Sequence, residues 1–188
     1  MEIMKGMNNK GQSGELEEQL QKSKSKLVKN WFEDIVNTYP DKTAQFMKQQ
    51  EDQFANPVGT TLHTELGNIF DELLQTESSE NLVNYVDAII RVRAVQDFSP
   101  SSAAGIFFSL KKIVRKEFKG KQEEYLQQLM NFEDKIDQLS QVAFDVYVNC
   151  REKIWELKAK EAQNRTKNLL RKIPDIEWNQ AEEDGDYS

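Results

Sequence analysis

Ile90–Phe118 reads IRVRAVQDFSPSSAAGIFFSLKKIVRKEF, and this stretch decides the fold. It holds the end of one helix, a capped corner and a second helix. Ser99 is a natural N-cap, because its hydroxyl can accept the free N–H groups of the turn that follows. Pro100 sits at the first helical position, where its missing N–H costs nothing. Ser101, Ser102, Ala103, Ala104 and Gly105 then open the helix with small side chains, which lets another helix come close. The stretch predicts an all-helical packing corner.

Outward from that corner the helical pattern continues in both directions. Upstream, Ser78 or Ser79 is the expected cap of a helix running to about Asp97, with Leu82, Val83, Val86, Ile89, Ile90 and Val95 on its apolar face. Before it, Asn56-Pro57 repeats the cap-then-proline signal. Phe54 is placed to pack back as an N-terminal staple. Val58, Leu62, Leu66, Ile69, Phe70, Leu73 and Leu74 then recur at steps of three and four, the spacing of an amphipathic helix. Lys42–Gln50 reads as a short helix carrying Ala44, Phe46 and Met47. Glu15–Tyr39 reads as a longer one, with Leu16, Leu20, Leu27, Trp31, Ile35 and Tyr39 on one stripe and Pro40 ending it.

Downstream, the helix begun at Pro100 is expected to stop at Gly120. From Lys121 to Pro174 there is neither Pro nor Gly, which predicts one very long helix or two stacked ones. Leu129, Phe132, Ile136, Leu139, Ala143, Val146 and Cys150 follow alternating steps of three and four, a heptad-like stripe suited to packing along a neighbour. Beyond Cys150 the stripe thins to Ile154, Trp155 and Leu157. A single helix from Lys121 to Lys172 is ~75 Å long at 1.5 Å per residue, whereas a globule of this size is ~35–40 Å across. The distal part is therefore expected to project, bend or pack on a partner. The fold class predicted is an all-α bundle of about six helices with a long C-terminal helix. The expected organisation is a disordered N-terminus (1–14), a helical domain (15–150), a projecting basic helix (151–172) and a disordered acidic tail (173–188).

Composition narrows the function classes. The 188 residues carry a formal net charge of -7, which argues against nucleic-acid binding through overall charge. Mean hydropathy is -0.74, as expected for polar ends and long exposed helix faces. Cys150 is the single cysteine, so no intrachain disulfide forms. No apolar run approaches the ~20 residues that span a bilayer, and Met1–Gly14 has no signal-peptide core. A cytoplasmic protein without membrane insertion is the expectation. Charge separates late in the chain: Arg151–Lys172 has eight basic and three acidic residues, and Ile173–Ser188 has six acidic and no basic ones.

Candidate sites are few, and each has a plain structural reading beside the functional one. Arg91, Arg93, Gln96, Asp97 and Ser99 cluster at a helix end that otherwise feeds the core. They are a candidate anion or small-molecule site, or else the lock of the corner, with Arg93 and Asp97 four apart and able to pair. His63, the sole histidine, is a candidate axial haem ligand, with Phe107 and Phe108 lining the pocket, or else a surface residue. Lys111, Lys112, Arg115, Lys116, Lys119 and Lys121 form a basic cluster that suits an acidic partner or a solvated helix end. Cys150 reads as a small buried hydrophobe. Glu123–Glu124 and Glu182–Glu183 have no nucleophile, metal cluster or phosphate loop near them in sequence. There is no P-loop, GxSxG or HExxH pattern. No catalytic residue, metal site or cofactor is expected.

FANPVG at Phe54–Gly59 and VRAVQDFSPSSAAG at Val92–Gly105, with Leu110-Lys111 beyond, resemble the N-terminal domain of RsbRD-type proteins. These are relatives of the RsbT co-antagonists that build stressosomes, the complexes behind bacterial general stress responses. The resemblance runs from Leu16 to Cys150. It departs mildly at Ser102, where the family commonly has Gln. It implies a globin-like sensory domain without haem that forms a homodimer and engages protein partners. The chain carries no STAS segment of the kind through which such proteins contact kinases, so it resembles the stand-alone versions. Those are associated with sulfate-reducing and related anaerobes, which implies a regulatory or accessory role in respiratory sulfur metabolism. The pairing surface expected is the stripe Leu129, Phe132, Ile136, Leu139, Ala143, Val146 and Cys150, or else the Leu16–Tyr39 helix. A projecting basic helix is expected to contact the partner.

Overall fold

The computed structural model describes residues 14–49, 54–75, 81–121 and 123–171. Among these every regular element is helical: α1 (Glu15–Val36), α2 (Asp41–Gln49), α3 (Pro57–Leu74), α4 (Asn81–Val95), α5 (Pro100–Ala104), a 3-10 turn (Gly105–Phe107), α6 (Ser109–Glu117) and α7 (Leu126–Leu170). The protein is an all-α bundle with a long C-terminal helix. The terminal expectations for 1–13 and 172–188, and the caps at Ser78 and Ser79, lie outside the described residues. No helix among the described residues is long and apolar enough to cross a membrane.

The chain forms two compact units, Met1–Arg151 and Glu152–Ser188. The first contains the core. In α1 the predicted stripe is wider than one face: Val28, Phe32 and Val36 are buried along with Leu16, Leu20, Leu27, Trp31 and Ile35. This width fits a helix that packs against α2, α3 and α6. Glu15, Glu17 and Glu18 in its first turn complement the helix dipole. The helix stops at Val36 instead of the expected Tyr39. A residue before proline disfavours the α conformation, so the chain unwinds ahead of Pro40 while Tyr39 stays buried.

The α2–α3 corner is closed by Asn56. Its Oδ1 accepts the Gly59 N–H at 2.9 Å, and its Nδ2 donates to the Met47 carbonyl at 3.0 Å. The cap residue is 3% exposed. A Cβ on Gly59 would lie 2.3 Å from the Asn56 amide, so glycine is required for this close approach. Phe54, expected to act as a staple, is 96% exposed. The buried Asn56 amide already ties α3 to α2, and the phenyl ring stays outside. Phe46, Val83 and Val95 are further apolar residues of the predicted faces that lie on the surface.

The helix expected over Pro100–Lys119 is broken. Gly105 begins a 3-10 turn that separates α5 from α6. The tighter turn frees the Ile106 carbonyl, which accepts from the Trp31 indole at 3.0 Å and from the Ser109 hydroxyl at 2.9 Å. A buried indole needs such an acceptor, and Trp31 is fully buried against Phe107. Ala103 and Ala104 are buried as the small-residue start predicts. Gly120, at φ 89, makes the expected stop.

Helix α7 is one continuous helix of 45 residues. It starts at Leu126 after a turn, instead of at Lys121. Leu129, Phe132, Ile136, Leu139 and Ala143 are buried in the chain's own core, with Ser140 and Tyr147. Phe132 meets Phe70 of α3 edge to face, and the Lys135 ammonium caps the end of α3 by donating to the Leu73 and Gln75 carbonyls at 2.8 and 2.7 Å. This corrects the expectation that the stripe clasps a companion chain. Five of its seven members are already covered within the first unit, and Val146 and Cys150 are half-buried against the same core. In the second unit, residues 152–170 are helical, and all but Ile154 are exposed.

Candidate functional site

Arg93 falls in phase with Val86 and Ile90 on α4, and like them it is buried. At 1% exposure it is among the largest fully buried side chains. Its two terminal nitrogens both lie 3.2 Å from the Thr38 hydroxyl oxygen, and one also donates to the Ser102 carbonyl at 3.0 Å. The guanidinium carbon lies 3.8 Å from the centre of the Phe98 ring and 5.2 Å from that of Tyr39. Such stacking suits a planar cation. Burial lowers the Arg93 pKa, and the nearby Tyr39 partly offsets this. An arginine keeps its charge regardless. No ion pair involves Arg93 among the described residues, and its Nε has no hydrogen-bond partner.

The rest of the predicted cluster disperses. Arg91 pairs with Asp87 on the exposed side of α4 at 2.6 Å. Asp97 does not reach Arg93. It sits at φ 58 in the left-handed region, off the helical path, and its carboxylate accepts from Arg151 at 2.6 Å. Arg151 also donates to the Ala94 carbonyl at 3.0 Å, while the Tyr147 hydroxyl donates to the Phe98 carbonyl at 2.5 Å. Ser99 caps α5, accepting the Ser102 N–H at 3.2 Å. Gln96 is exposed. Four of the five predicted residues thus hold the corner or its surface, and only Arg93 stands behind a cavity.

That cavity is a cleft of about 360 Å³ between the end of α1 and the α5–3-10 segment. Asp34, Thr38, Ser101 and Ser109 line it with polar groups, Ile35 and Ile106 with apolar ones, and Phe98 and Ser102 join it to Arg93. Thr38 escapes a sequence reading because its contact with Arg93 spans 55 residues, and Asp34 because it reaches the cleft from α1, across the same gap. The in-phase arginine was the one signal available.

The α5–3-10 segment has a second, different flank. A shallow groove of about 1000 Å³ runs between it and α7, with Ala104 and Gly105 as small residues and Phe108 and Phe144 as walls. The two phenylalanines are 46% and 48% exposed.

The residues of the haem alternative do not gather. His63 is exposed and meets Phe32 edge to face, Phe107 is buried beside Trp31, and Phe108 faces the groove. The basic cluster is partly neutralised, with Lys111 on Asp137 at 2.5 Å and Arg115 on Glu133 through its Nε at 2.6 Å. Lys112, Lys116, Lys119 and Lys121 are exposed. Cys150 is half-buried, with its sulfur 4.0 Å from an Asp87 oxygen.

An uncharacterized protein of Archaeoglobus fulgidus is 27% identical over 157 residues, covering 81% of this chain and 92% of that protein. No solved structure matches. The profile of the RsbT co-antagonist protein rsbRD N-terminal domain matches residues 25–162, which takes in both capped corners, Arg93 and the buried part of α7. The helical bundle locked at these two corners therefore belongs to the RsbT co-antagonist protein rsbRD N-terminal domain family.

Proposed function

We propose that the chain is a non-enzymatic sensory and regulatory module that acts in the cytoplasm by contact with proteins, and that it pairs first with a second copy of itself. Membership of a co-antagonist domain family supports the regulatory class. The observation that carries the pairing is the groove of Phe108 and Phe144 beside Ala104 and Gly105. Knobs and small residues lie on one patch, so a two-fold axis can set the aromatic rings of one copy over the small residues of the other. That self-complementarity is what an isologous interface needs. Apart from its chain neighbours and its own helix backbone, nothing stands within 4 Å of the position a Cβ on Gly105 would take, which leaves room for an incoming ring.

This surface replaces the Leu129–Ala143 stripe as the pairing face, because that stripe is buried within one chain. The exposed Trp155 and Leu157 of the second unit supply the contact with a different protein. A stress-response setting follows the family, and respiratory sulfur metabolism is the second setting that the resemblance implies.

Sedimentation velocity of the full chain tests the pairing. We expect a dimer at micromolar concentration and a monomer for Phe144→Asp, with the two proteins unfolding at similar temperatures. A monomeric wild type, or a Phe144→Asp variant that still dimerises, contradicts the assignment, and the groove then belongs to another partner or to none.

A further inference from the structure

A fully buried guanidinium ordinarily has a carboxylate beside it, since an unpaired interior charge is costly. Arg93 has none among the described residues. Its terminal nitrogens are directed to Thr38 and Ser102, and its flat face meets Phe98. All three of these residues line the 360 Å³ cleft. The positive charge thus stands directly behind the cleft wall, with Nε still lacking an acceptor.

The opposite charge stands on the same cleft. Asp34 is an exposed carboxylate that makes no ion pair or hydrogen bond among the described residues. Thr38 and Ser109 already donate their hydroxyl protons to the Ile35 and Ile106 carbonyls, at 2.7 and 2.9 Å, so the hydroxyls of Ser101 and Ser102 are the ones on the cleft with it that can donate to an anion. The volume is at the small end for ligand pockets, which run from about 300 to 1,000 Å³.

We propose that this cleft binds a small zwitterion of the α-amino-acid class, with its carboxylate towards the Ser101–Ser102 side that Arg93 backs and its ammonium towards Asp34. A dianion such as phosphate meets repulsion from Asp34. A simple amine gains nothing from Arg93. Only a ligand carrying both charges uses both groups. The assignment goes beyond the pairing role and does not rest on it, although Ser101 and Gly105 line both the cleft and the groove.

The test is a thermal-shift screen of the full chain against the standard L-amino acids, followed by calorimetric titration of the best responders. Sodium acetate, ethylammonium chloride and sodium phosphate serve as single-feature controls. We expect at least one small amino acid to bind with one-to-one stoichiometry and to exceed each control by about tenfold or more in affinity, as loss of one charge-assisted contact implies. Asp34→Asn should bring that affinity close to the value for acetate. Ser102→Ala should weaken it as well. Both positions are exposed, so these variants keep the core that Arg93→Ala would disturb. The proposal is overturned if no amino acid binds up to about 10 mM, a very weak limit. Acetate or phosphate binding as well as the best amino acid overturns it, and so does an affinity unmoved by both Asp34→Asn and Ser102→Ala.

Discussion

Two corners of this bundle carry the same sequence signal and are held in different ways. Asn56-Pro57 opens α3 and Ser99-Pro100 opens α5, each with the side chain of the cap accepting an amide N–H of the first turn. At the first corner the cap itself is the lock, buried and bonded across to Met47 of α2. At the second the cap is exposed, and its side-chain bonds among the described residues reach only as far as Ser101 and Ser102. There the lock is Arg93, which joins α4 to the end of α1 and to α5. A cap motif therefore announces a corner without saying how much of the corner's stability it carries.

The comparison yields a ranked series, read from urea unfolding midpoints at constant slope. Arg93→Ala should be the most damaging, at about 3–5 kcal/mol, because it leaves a large void between Phe98 and Tyr39. Arg93→Met should cost less than about 1.5 kcal/mol, since an apolar side chain of similar volume often replaces a buried charge without loss. Equal losses for the two variants would show that the charge itself holds the corner. Asn56→Ala should cost about 2–3 kcal/mol, combining a lost cap with the buried Met47 carbonyl and Gly59 N–H left unpaired. Gly59→Ala should cost about 1–3 kcal/mol through collision with that amide. Ser99→Ala should be mildest, at about 0.5–1 kcal/mol, because water can reach the freed N–H. A Ser99→Ala loss as large as that of Asn56→Ala would erase the distinction between the corners.

The features legible in sequence were the local ones. Asn56, Ser99 and Gly120 announce helix ends because a cap acts within one turn. The stripes of α1, α3 and α7 are legible because burial repeats with the helical period. What covers a stripe is not local. Leu129–Ala143 looks the same whether it meets Phe70 of its own chain or a second copy, and only the fold assigns it to the former. Phe54 and Val95 match their patterns and still lie outside, since a period does not mark where the core ends. The break at Gly105 depends on Trp31, 75 residues before its Ile106 acceptor. Of the candidate site, Arg93 was visible as one of the polar residues at a helix end that otherwise feeds the core. Thr38 and Asp34 were not, because only the packing of α1 on the α5–3-10 segment brings them there.

Contact with a second copy is the claim on which the functional account turns, and hydrogen exchange read as a function of protein concentration tests it most directly. Peptides covering residues 100–108 and 140–145 should gain protection between low and high micromolar protein, while those covering the Asn56 corner stay unchanged. Protection that does not vary with concentration, or that rises only at other surfaces, would contradict the account.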